Sequence, residues 1–126
     1  MKKMLLPIGA LGLIFLLSLC NGAAVTRKTL RWQQQILRAQ ASALQGRWSD
    51  AAALLEESHQ DWERAQLYLH IVLEHDAIDD AEAMYRRAMA FALAEEPSEF
   101  RAETEDLDAQ LELLSEMEAL SVKNIL

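Results

Sequence analysis

From Met4 to Thr26 the chain carries no charged side chain. Lys2 and Lys3 precede this run, and Arg27, Lys28 and Arg31 follow it. Met4 to Val25 is apolar apart from Ser18 and Asn21. As a helix those residues reach ~33 Å at ~1.5 Å per residue, the thickness of a bilayer core of ~30 Å. Leu5, Leu6, Ile8, Leu11, Leu13, Ile14, Phe15, Leu16, Leu17 and Leu19 point in all directions around such a helix. A soluble partner domain of this size has no means of covering every side. The run therefore predicts a membrane-inserted helix over residues 4–25. Pro7, Gly9 and Gly12 are tolerated there, because lipid offers the backbone no alternative to intrahelical bonding.

Retention as a signal-anchor is the expectation. Leu5 to Leu19 is at the upper limit for a cleaved signal peptide, with Gly22-Ala23-Ala24 as its cleavage site. Leu17-Ser18-Leu19-Cys20 resembles a lipobox, with Leu19 where that motif prefers a small residue. Large domains translocate largely regardless of flanking charge. The expected arrangement is a single-pass protein of the cytoplasmic membrane with its folded part outside.

The chain beyond residue 25 holds 10 basic and 20 acidic side chains. Phosphate recognition needs the opposite balance, so a nucleic acid is not an expected partner. Cys20 is the sole cysteine, which excludes an intramolecular disulfide.

After the apolar run the strong breakers are Gly46 and Pro97, and Ala, Leu, Glu, Gln and Arg dominate. An all-α fold follows: an N-terminal transmembrane helix (1–25), a small antiparallel bundle of three to four helices (26–121) and a short tail (122–126). The first segment, 26–45, carries a stripe at Leu30, Gln33/Gln34, Leu37, Ala41 and Leu44, is expected to face the bundle, and is able to form one rod with the anchor. The second, 50–73, has Ser49 as its expected cap and a stripe at Ala51, Leu55, Trp62, Leu69 and Leu73, interrupted by His59 and Gln66. The third, 77–94, has Asp76 as cap and Ile78, Ala81, Tyr85, Ala88 and Ala92 on one face. The fourth, 98–121, has Ser98 as cap and Phe100, Glu103/Thr104, Leu107, Leu111, Leu114, Met117/Glu118 and Ser121 along its face. Trp48, Trp62, Tyr68 and Tyr85 are the expected core anchors.

Two sequence patterns suggest more than packing. Residues 48–58 and 78–88 align at Asp50/Asp80, Ala51/Ala81 and Ala53/Ala83 and resemble steps of a tetratricopeptide repeat. Their offset of 30 residues falls short of the ~34 of that repeat. The alternative it raises is a peptide-binding groove between the second and third helices. Glu56-x-x-His59 has di-iron spacing and Glu63 shares its face, which raises a metal-binding alternative with Glu56, His59 and Glu63 as ligands. No second Glu-x-x-His completes a di-iron set, and no cofactor is implied. His75 with Asp79 and His70 with Glu74 read as ordinary pairs one turn apart. There is no phosphate loop, nucleophile elbow or Cys–His zinc spacing, so an enzyme is not expected.

The whole chain resembles the DUF4363 family of small bacterial proteins of unknown function. The resemblance rests on Trp62, on His75 followed by Ile78-Asp79, and on an acidic, leucine-rich last helix closing on Asn124-Ile125-Leu126. It implies a membrane-anchored helical domain and no known activity. The expected role is an accessory or interaction module for another membrane or envelope protein, reached through the acidic surface or the apolar end Ile125-Leu126. Self-association into a homo-oligomer stays open.

Overall fold

The computed structural model describes residues 2–125, with backbone alone for residues 2–4, 18, 19, 21–25, 72 and 121–125. Four helices account for nearly all of it: α1 Lys2–Leu44, α2 Trp48–Val72, α3 His75–Leu93 and α4 Pro97–Ile125. No strand occurs among the described residues. α1 packs on α2 and α4, and α3 packs on the same two, giving an up-down-up-down four-helix bundle. α1 is unbroken through residue 25, so the apolar N-terminal run and the first bundle helix are one rod of ~65 Å.

Two turns at one end of the bundle use the same backbone device. Arg47 N–H bonds to the Ser42 carbonyl at 2.9 Å and Gly46 N–H to Ala43 at 3.0 Å. Glu96 N–H bonds to Phe91 and Glu95 N–H to Ala92, both at 3.1 Å. Each pair is a Schellman motif, whose middle residue must be left-handed. Gly46 has φ 76° and Glu95 has φ 53°. At the opposite end, Leu73 turns extended (φ −125°, ψ 164°) and separates α2 from α3.

The helix starts differ from the sequence expectation. Arg47 caps α2 and Glu74 caps α3, neither through a side-chain bond. Ser49, Asp76 and Ser98 lie inside the first turns instead. The reason is that each turn is completed earlier. The Schellman motif consumes residues up to Arg47, and Pro97 opens α4 where its missing N–H costs nothing.

The core is one cluster built from all four helices. α2 contributes Ala51, Leu55, Trp62, Ala65 and Leu69, α3 contributes Ile78, Ala81, Tyr85, Ala88 and Ala92, and α4 contributes Phe100, Leu107, Leu111 and Leu114. Trp32 meets Trp62 edge-on at 5.3 Å, and Trp48 meets Phe100 likewise at 5.4 Å. Trp62 and Tyr85 are fully buried, whereas Trp48 and Tyr68 are half-buried at the rim.

α1 requires a correction. Its bundle face is Thr29, Trp32, Ile36, Ala39 and Ser42, not the leucine stripe. Leu30, Leu37 and Leu44 are 53, 57 and 82% exposed. At ~100° per residue they stand roughly half a turn away from Ala39 and about a quarter to a third of a turn from Ile36. Both faces have helical period, and the indole of Trp32 buries more area than any leucine, so Trp32 decides the orientation.

Among the described residues no helix is long and apolar enough to cross a membrane. The expected span includes residues 4, 18, 19 and 21–25, whose side chains lie outside the described residues.

Candidate functional site

Two surfaces stand out from the packed core. The first is the outer face of α1. Leu30, Leu37 and Leu44 recur every seven residues, with Gln34 and Ala41 between them, and all five are exposed. The face continues the helix that carries the apolar N-terminal run. Leu5, Leu6, Ile8, Leu11, Leu13, Ile14, Leu16 and Leu17 on that run are each more than half exposed. None of these residues belongs to the bundle core.

The second surface is a polar cluster on the α2–α3 seam, centred on Glu82. One carboxylate oxygen, Oε2, accepts from Trp62 Nε1 at 2.8 Å and from Gln66 Nε2 at 3.2 Å. The other, Oε1, meets His59 Nε2 at 2.8 Å and Arg86 Nε at 3.0 Å. Glu63, one turn after His59, places Oε1 3.5 Å from the same ring nitrogen. Burial alone would lift the Glu82 carboxyl. Hydrogen bonds from His59, Arg86 and Trp62, with the charge of His59, outweigh it and hold the group below its usual range. Behind the cluster, the Tyr85 hydroxyl and Ser58 Oγ pair at 2.8 Å inside the core. Burial pushes the Tyr85 phenol well above its usual range.

The residues singled out from sequence are thus distributed as follows. His59 and Glu63 are brought together, and Glu56 lines the same shallow depression, beside Gln60, Arg86 and Met89. Glu82, from another helix, is the member that sequence spacing did not reveal. Trp62 and Ile78 are buried core. His75 and Asp79 are exposed, and His75 Nδ1 lies 2.7 Å from His70 Nδ1, a hydrogen bond between the two rings across the α2–α3 turn. The side chains of Asn124 and Ile125, and all of Leu126, lie outside the described residues.

The tetratricopeptide alternative requires α2 and α3 to line an open groove. Instead both helices turn their apolar faces into the shared core with α1 and α4.

Fold and surfaces together define a small antiparallel four-helix bundle with a long N-terminal helical arm. The sequence profile of the family described as a domain of unknown function, DUF4363, matches residues 23–125. The chain belongs to that family. No curated protein and no solved structure matches it.

Proposed function

We propose that the protein is a membrane-tethered, non-enzymatic interaction module that docks a helix of another envelope protein along the outer face of α1. The observation that carries this reading is the exposed heptad of Leu30, Leu37 and Leu44 on the side of α1 turned away from the bundle. A helix with leucines every seventh residue presents the seam of a helix–helix contact. A contiguous exposed apolar face is the kind of surface that marks an interaction site. The uncharged run of residues 4–26 supports tethering, and its exposed apolar side chains have no other partner of the right shape than lipid or another membrane helix. In this reading the arm lies in the cytoplasmic membrane and the acidic bundle outside it.

The test is site-specific photocrosslinking of the full-length protein in its native host. A crosslinker at position 37 is expected to capture a recurrent membrane protein, and one at position 80, on the far side of the bundle, is not. Changing Leu30, Leu37 and Leu44 together to Gln should abolish the adduct. Identical adducts from both positions, or from the triple variant, overturn the docking face. Adducts to the chain itself would reassign the face to a homo-oligomer.

A further inference from the structure

We infer that His59, Glu63 and Glu82 form a binding site for a single divalent transition-metal ion of the zinc class, clipping α2 to α3. The inference is independent of the docking reading, since this seam lies on helices that do not carry the α1 leucines. The three donor atoms, one imidazole nitrogen and two carboxylate oxygens, all lie within 4.8 Å of one another. A tetrahedral ion with bonds of ~2.0–2.1 Å sets its ligands roughly 3.3 Å apart. The His59–Glu63 separation of 3.5 Å already fits that edge, and the His59–Glu82 separation of 2.8 Å has only to open slightly.

The carboxylate that matters most is prepared for the role. Trp62 and Gln66 hold Glu82 by Oε2, which fixes the plane of the group and leaves Oε1 turned to the cluster. Ligating carboxylates are characteristically held by such outer hydrogen bonds. Trp62 is wholly buried, so this hold is rigid. One imidazole with two carboxylates suits zinc, and such a three-ligand set leaves a fourth position open. His59 and Glu63 both line a surface depression shared with Glu56 and Gln60.

Positive charge already sits where the ion would. Arg86 Nε donates to Glu82 Oε1 at 3.0 Å, from a side chain that is 71% exposed. The guanidinium is therefore free to swing into solvent. Arg86 acts as the counter-ion of the metal-free state, and metal entry displaces it.

The experiment is equilibrium dialysis of the full-length protein in detergent against zinc chloride, with calcium chloride in parallel. One zinc per chain is expected, with calcium far weaker because an imidazole ligand disfavours it. His59→Gln and Glu63→Gln should each weaken zinc by about tenfold or more. Glu63 is half exposed, so its variant folds, as circular dichroism would verify. Arg86→Gln should tighten zinc several-fold, a readout that a purely structural cluster would not move. His70→Gln and His75→Gln should change nothing. Absence of stoichiometric zinc, unchanged affinity in Glu63→Gln, or loss in His70→Gln would each overturn the site, and so would an Arg86→Gln variant that binds no tighter.

Discussion

Trp62 donates its indole N–H to the Glu82 carboxylate at 2.8 Å, which ties the centre of the core to the polar seam of α2 and α3. Trp62 is fully buried and also meets the Trp32 ring of α1. One residue therefore links three helices, through its bond to Glu82 and its ring contacts with Trp32 and Tyr85. Removing the acceptor leaves the N–H of a core indole without its partner, at a cost of about 1–3 kcal/mol. Glu82→Ala should destabilise by that amount in thermal unfolding. Glu82→Gln, which keeps an acceptor oxygen, should cost less. Because the folded state holds the Glu82 carboxyl below its ordinary value, its stabilising share is present above that value. It is lost as pH falls through the lowered one.

Glu118 behaves with the opposite sign. Its residue is 5% exposed on α4, and burial raises its carboxyl above the ordinary 4.5. A carboxyl that is harder to ionise when folded costs stability at neutral pH. That cost is fully present above the raised value, shrinks as pH falls through it, and is gone below 4.5. Glu118→Gln should therefore stabilise the protein at pH 7, seen as a higher midpoint in thermal unfolding. The gain should vanish at pH 4. Equal gains at both pH values would refute the assignment.

Ser58 and Tyr85 offer a test of the buried polar pair. Their hydroxyls meet at 2.8 Å with both residues fully buried. Tyr85→Phe or Ser58→Ala strands one hydroxyl, at about 1–3 kcal/mol each. The double variant removes both polar groups together and should cost less than the sum of the singles. A double-mutant cycle with a coupling of about 0.5–3 kcal/mol is expected, and strict additivity would show that the pair is not formed.

α1 exposes the limit of what periodicity reveals. In α2, α3 and α4 the longest apolar stripe and the buried face coincide from Ala51 to Leu114. α1 has two stripes. Leu30/Leu37/Leu44 and Trp32/Ile36/Ala39 each recur at helical spacing, and nothing local states which one the bundle covers. The metal candidates show a related limit. Spacing along one helix pairs His59 with Glu63, but Glu82 joins them only through the packing of α3 on α2. The orientation of α1 predicts a sharp contrast between neighbours. Ile36→Ala, at 0% exposure, should cost about 2–5 kcal/mol. Leu37→Ala, at 57%, should stay within about 0.5 kcal/mol. The reverse order would restore the leucine stripe to the bundle.

The two Schellman turns make a matched pair in which one residue suits its conformation and the other does not. Gly46 at φ 76° sits in the left-handed region without penalty, and a Cβ there would touch nothing within 4 Å. Gly46→Ala should therefore cost only the backbone term, about 1–2 kcal/mol. Glu95 at φ 53° already bears that term. Glu95→Gly relieves it while adding some freedom to the unfolded chain, for a net gain of about 0.5–1 kcal/mol. The two sites lie in separate turns that share no hydrogen bond, so their effects should add, and the double variant should fall between the Gly46→Ala variant and the parent in thermal unfolding. A Glu95→Gly variant that loses stability would mean that the Glu95 side chain contributes more than its backbone costs.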